Sequence, residues 1–383
     1  AIEASTLVSV GGDLRLDDTS WGAVEDVELD QLQSVAGSME LSFMDQVTRL
    51  DLANLEEVGG DLDVQYLDAL EEVDLGGLVS VGGDLRLFDV GRYADDFDID
   101  VELVEEVGGS VEFYAMAYYG DGGNVEFDFA ALEAVGSSLS VTFVNGYYGG
   151  DVTFSAPELT TIGDGATVSY NGRSYSSSDT PGDVEIDLSA VETLGGSLNV
   201  TGNGRGYSIG NNASAGDVEL DMSSVRSMQG TLLLQQNGYC DTGNSSWHCY
   251  AGSFAADLSS LESIGNGSVS IDYNGYAYWG EGGDVSVFLD SLTSISGYLR
   301  FDYNGYAWNY RGYTGRYPYP GEVTLIFTDL ETVSGDFDMY QSGYGYDGYY
   351  GGRYFSDVDW DFPNLREVYD IRIYRSGIRD FDD

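Results

Sequence analysis

LVSVGGDLRL, residues 78–87, decides the fold, because its relatives recur along the whole chain. The same ten residues open at Leu7, and LEEVGGDLDV at Leu55, VEEVGGSVEF at Val104, LEAVGSSLSV at Leu132 and VETLGGSLNV at Val191 are close variants. Just upstream, Val73 and Leu75 alternate with polar neighbours, as a short strand with one buried face does. Leu78 and Val81 lie three apart, the spacing that points two side chains from a single turn into a core. Gly82 and Gly83 are expected to supply the φ > 0 conformations of a tight turn, and Asp84 an Asx-type bond to its own backbone. Leu85 and Leu87 then form a second strand with Arg86 outward. Each such unit buries only a few aliphatic side chains, so stacking must supply the core.

Aligned on the aliphatic residue before the glycines, the repeats fall at Val10, Val35, Val58, Val81, Val107, Val135, Ile162, Leu194, Met228, Ile264, Ile295, Val333 and Val368. The fold expected is all-β: a right-handed parallel β-solenoid of about thirteen coils, about 60 Å long if each coil rises about 4.8 Å. Residues 1–383 read as one continuous solenoid, with short coils over 1–90 and lengthening Tyr-rich loops in the coils of 91–383. The repeat spacing grows from 23 residues to as many as 38. The coil stays constant while its insertion expands.

The pattern L-x-x-V-G-G-x-L-x-L resembles the receptor L domain and the related leucine-rich-repeat solenoids of growth-factor receptor ectodomains, fungal cell-wall proteins and bacterial surface proteins. FSAPELTTIGDGATVSYNG, residues 154–172, is most similar to the fungal cell-wall form. From the seventh repeat on, the strand is followed by asparagine in L-x-L-x-x-N spacing, at Asn203, Asn237, Asn274 and Asn304. An asparagine ladder of that kind satisfies backbone groups where the chain leaves the strand. In early repeats Thr19, Met44, Leu67 and Val90 take the asparagine place. The cysteine-rich modules of receptor ectodomains are absent.

The charge is extreme. Against 66 acidic residues stand 15 basic ones, all arginine, giving −51. Such self-repulsion favours solubility where salt screens it, which points to a salt-adapted, halophilic source. A basic footprint for phosphates is missing, so nucleic acid is not an expected partner. No run approaches the 18 apolar residues of a membrane span. The start at Ala1, with no initiator Met or signal-type segment, reads as a mature or excised form.

Four groups of residues are candidates for function. The insertions are rich in Tyr, Gly and Asn and would lie side by side in successive coils. Tyr147, Tyr276, Tyr278, Trp279, Tyr306, Trp308, Tyr313, Tyr344 and Tyr346 would form an interaction surface of the amphipathic kind used in paratopes and sugar-binding faces, or else pack on one another. A column of carboxylates precedes the turn: Glu28, Asp51, Asp74, Asp100, Asp128, Asp187, Asp221, Asp257 and Asp361. Two readings stand open for it, capping of the turn that follows and weak calcium binding by Asp51, Asp74, Asp100, Asp128, Asp187 and Asp221. Cys240 and Cys249 lie in one insertion with the only histidine, His248. The spacing suits a disulfide rather than a zinc site, and an oxidising compartment. Sequons at Asn199, Asn212, Asn244 and Asn266 are glycosylation candidates.

A further row, outward in the L-x-L strand, runs Arg15, Glu40, Asp63, Arg86, Glu112, Ser140, Thr167, Asn199, Arg300, Asp338 and Arg372, and reads as structural cross-strand pairing. No P-loop, G-x-S-x-G or H-E-x-x-H motif occurs. We therefore expect no enzyme and no cofactor other than calcium. The expected role is that of an extracellular or cell-surface structural protein, a matrix or filament subunit that associates end to end or with other surface proteins. The alternatives are a glycan- or protein-binding ectodomain and a polysaccharide-acting solenoid enzyme.

Overall fold

The computed structural model describes residues 2–17, 24–25, 27–94, 97–120, 123–175, 180–207, 212–242, 248–309, 317–347 and 352–376. Among these there is no helix, and the strands stack in parallel into a β-solenoid. One coil shows the plan. Glu72–Asp74 lies on a leading face, Ser80–Val81 on a narrow ledge, and Leu85–Val90 on a long face. Each pairs with its counterparts one coil before and one coil after.

The thirteen aligned positions fall in register in two paired runs, Val10 to Ile264 and Ile295 to Val368. Val10 pairs with Val35, Val35 with Val58, and so on to Met228 with Ile264, then Ile295 with Val333 and Val333 with Val368. Val73, Leu75, Leu78, Val81, Leu85 and Leu87 are all buried, and their equivalents make one core running from Val27 to Met339. At about 1.5–3 kcal/mol per fully buried aliphatic side chain, the stacked core holds coils together that could not stand alone.

The glycine turn works differently from the sequence expectation. Positive φ falls outside Gly82 and Gly83. These glycines are needed for close approach: a Cβ on Gly82 would sit 2.3 Å from the Gly59 carbonyl oxygen, and one on Gly83 2.1 Å from Asp61 Oδ1. Nor does Asp84 bond its own backbone. Its Oδ1 accepts the Ser110 N–H of the next coil at 2.7 Å, just as Asp61 Oδ1 accepts Asp84 N–H at 2.9 Å and Ser38 Oγ accepts Asp61 N–H at 3.0 Å. With the next coil only about 4.8 Å away, the short side chain reaches across rather than back.

Positive φ occurs instead at the residue preceding the asparagine place in twelve consecutive coils: Phe43, Tyr66, Asp89, Ala115, Phe143, Tyr170, Gly202, Gln236, Tyr273, Tyr303, Gln341 and Arg375. Eleven of the twelve are not glycine, and a bulky residue persists there only where its surroundings over-determine the backbone. Those surroundings include neighbouring rings. Phe143 stacks on Tyr170 at 5.0 Å and Tyr273 on Tyr303 at 4.8 Å.

The asparagine ladder forms and begins one coil before the asparagines named above, at Asn171. Asn171, Asn203, Asn237, Asn274 and Asn304 are fully buried. Asn203 Nδ2 donates to the Val168 carbonyl at 2.9 Å and to Asn237 Oδ1 at 3.0 Å, and Asn237 and Asn274 repeat the arrangement one coil on. Ser342 ends the ladder, its hydroxyl donating to the Phe301 carbonyl at 3.0 Å.

Candidate interaction surfaces

The loops leave the long face after the ladder and stack as regularly as the coils. Gly206–Tyr207, Cys240–Asp241, Ala277–Tyr278, Ala307–Asn309 and Tyr344–Asp347 pair in parallel, with Arg353–Phe355 antiparallel at the end. Ala213–Ser214, Cys249–Tyr250 and Gly280–Glu281 form a second small sheet. Between them lies a separate core of small residues. Cys240 and Cys249 form a disulfide with a Cα–Cα distance of 5.9 Å, packed with Ala213 and Ala277. His248 is not grouped with the cysteines as a metal ligand. Its Nε2 lies 3.1 Å from Glu281 Oε1, one coil on.

Of the aromatic candidates, Tyr344 and Tyr306 are buried, at 0% and 6% exposure. Tyr147, Tyr276, Tyr278, Trp279, Trp308 and Tyr346 are half-buried. Tyr313 lies outside the described residues. The rings pack on one another along the stack: Tyr239 on Tyr276 at 4.9 Å, Tyr276 on Tyr306 at 5.1 Å and Tyr278 on Trp308 at 4.7 Å, with Trp279 4.1 Å from Trp308. Burial raises their phenol pKa values. Tyr239 is pushed up to about 12, first by desolvation and then by Asp241. Desolvation lifts Tyr276, Tyr303 and Tyr306 further.

The carboxylate column is in register, with Glu28, Asp51, Asp74 and Asp100 paired in turn, and Asp187, Asp221 and Asp257 likewise. Ser155 interrupts it between Asp128 and Asp187, and Phe288 and Ile326 separate Asp257 from Asp361. Several members bond the turn that follows. Asp187, Asp221 and Asp257 accept the N–H two residues on at 2.9–3.0 Å, and Asp74 accepts Gly76 N–H at 3.2 Å. Among the described residues no group of three or more His, Cys, Asp or Glu side chains is arranged to hold a metal ion.

A second aspartate column escaped the sequence reading. Asp151, Asp183 and Asp217 each accept the backbone N–H of the equivalent residue one coil on, at 2.7–3.0 Å, and Asp284 accepts Glu322 N–H at 2.8 Å. Its signal was present in the Gly-Asp-Val that ends four of the loops, at Gly150, Gly182, Gly216 and Gly283.

The outward row of the long face pairs as expected. Arg86 Nε donates to Glu112 Oε2 at 3.0 Å, and Arg86 also bonds Asp84. Further along, Asp272 is buried and accepts Arg300 Nε at 2.9 Å, Gln235 Nε2 at 2.9 Å and Asp302 N–H at 3.0 Å. Beside it, Asp302 is pushed up to about 6, by burial first and then by the Asp272 charge. Of the sequon asparagines, Asn212 and Asn266 are exposed, Asn199 is half-buried in the long face, and Asn244 lies outside the described residues. Neither a family model, nor a curated protein, nor a solved structure matches the chain.

Proposed function

We propose that the chain is a non-enzymatic, extracellular structural and interaction protein, a cell-surface, matrix or filament component of a salt-adapted microbe. The observation that carries this reading is where the buried polar groups go. Three side-chain ladders, of asparagine, of Asp and Ser after the glycines, and of aspartate at the loop ends, all join one coil to the next. Such a molecule is built as a rigid scaffold. The disulfide fits an oxidising compartment, and no described helix is long and apolar enough to cross a membrane.

The repeat's likeness to receptor L domains belongs to the same proposal. End-to-end association belongs to it too, since each coil presents to the next the same in-register backbone and core positions. Calcium or salt would screen the outward carboxylates. Electron microscopy of the protein across salt and calcium concentrations tests the reading, with rods joined end to end as the expected result. A monodisperse monomer at high concentration under every condition would overturn self-assembly.

The second reading is a ligand-binding ectodomain. It is favoured by the half-exposed group of Tyr278, Trp279 and Trp308, whose apolar faces and polar edges suit saccharides. A glycan array read with the unaltered protein and with Trp279→Ala and Trp308→Ala tests it. Signal lost in the variants is expected, and no signal in any of the three proteins discards it.

A further inference from the structure

Two residues after the ladder, successive coils carry Arg173, Arg205, Tyr239, Tyr276, Tyr306 and Tyr344. The four tyrosines form one stack, with Tyr344 6.0 Å from Tyr306 beyond the contacts given above, and the Arg205 guanidinium continues it, 4.7 Å from the Tyr239 ring. Arg173 is held between rings, 4.9 Å from Tyr170 and 4.7 Å from Tyr175. The two arginines therefore occupy equivalent places in adjoining coils, where Ser174 N–H donates to the Arg205 carbonyl at 3.0 Å. Arg173 is only 6% exposed.

This pair stands apart from the paired arginines of the chain. Arg86, Arg300 and Arg372 each meet two or more carboxylates. Among the described residues neither Arg173 nor Arg205 has a carboxylate within ion-pair distance, although the protein carries 66 acids. The Nε of each is buried and makes no hydrogen bond. Burial, then the neighbouring Arg205 charge, lowers Arg173 to about 10. The flanking rings offer cation–π attraction and leave each Nε–H without an acceptor, and a buried charge beside a half-buried charge of the same sign calls for a counter-charge.

We propose that Arg173 and Arg205 together bind a small inorganic anion, a halide or sulfate, which bridges the two guanidinium groups and completes the stack at this point. A free ion is favoured over the acidic group of a polymer, because a net charge of −51 repels polyanions while a small ion at high salt is abundant and screened.

The test is thermal unfolding of the intact protein with sodium bromide or sodium sulfate titrated at constant ionic strength, balanced by sodium gluconate. The unaltered protein should show a saturable rise of several degrees at about 100 times the half-saturating concentration. Arg173→Gln and Arg205→Gln should lose the saturable part. A crystal soaked in bromide should show an anomalous peak between the two guanidinium groups. The same unsaturated response in all three proteins, or no bromide peak, overturns the proposal, as does saturation by a sulfated oligosaccharide but not by sulfate. Should Arg173→Gln fail to fold, Arg205→Gln, at a half-buried position, and the bromide peak in the unaltered protein each decide it.

Discussion

The early and late coils solve the same problem in different ways. Where the chain leaves the long face, the early coils bury Met44, Leu67, Val90, Met116 and Val144, and the later ones bury Asn171, Asn203, Asn237, Asn274 and Asn304. The residue before them has positive φ in both halves. In the third and fourth coils the strand runs on, as Leu62–Leu67 and Leu85–Val90, and Val90 pairs with Leu67 through the backbone. In most other coils, early ones such as Met39–Ser42 and Leu139–Thr142 included, the strand stops after four residues, and in the later half the next coil's asparagine side chain donates to the carbonyl of the strand's next-to-last residue, Val200 in Leu198–Thr201 and Leu234 in Leu232–Gln235.

The largest effect should come from breaking the ladder inside that half. Asn237→Leu removes the donor to the Val200 carbonyl and the acceptor of Asn203 Nδ2 and N–H, all buried. At about 1–3 kcal/mol for each buried group left unsatisfied, chemical denaturation should show a loss of about 3–5 kcal/mol. The opposite exchange, Val90→Asn, puts a lone asparagine into the apolar column, and about 2–3 kcal/mol is expected to be lost. If Val90→Asn were neutral, the two halves would be interchangeable and the comparison would fail.

Next in size is the disulfide, which ties the loop stack alone. Cys240→Ser with Cys249→Ser should cost about 2.5–3 kcal/mol by loop-closure entropy. Hydrogen exchange should rise at Cys240–Asp241 and Cys249–Tyr250 and stay unchanged in the early coils.

Smallest is the pH response of Asp302. Its folded pKa of about 6 lies above the ordinary carboxyl value of 3.8, so the native state holds the proton more tightly. The stability this gives is present below about pH 4 and is lost as pH rises through about 6. Asp302→Asn should therefore add on the order of 1 kcal/mol at pH 7–8, discounted for partial solvent screening, and should change little at pH 4. Urea denaturation at the two pH values checks the sign.

The coil was legible because its code is local and repeated. Val73, Leu75, Leu78, Val81, Leu85 and Leu87 show their periodicity within fifteen residues, and the cysteines lie in one loop. What escaped was set between coils. Whether Asp84 turns back or reaches forward depends on Ser110, 26 residues away, and the partner varies among Asp, Ser, Thr and Tyr. Gly82 and Gly83 suggest a conformational need when read alone, yet the neighbouring coil's backbone is what excludes a side chain. The αL column was invisible because Phe43, Tyr66 and Tyr273 are residues that local preference places elsewhere. Among the site candidates, the column of carboxylates was legible, whereas the burial of Tyr306 and Tyr344 depended on loops stacking in register.

The side-chain amide protons of asparagine test the central claim most directly, that a buried ladder carries the stack through the long-loop half. With asparagine selectively labelled, hydrogen exchange followed by NMR should show strongly protected Nδ2 protons for Asn203, Asn237 and Asn274, beside fast exchange at exposed Asn212 and Asn266. Uniformly fast exchange at all of them would contradict it.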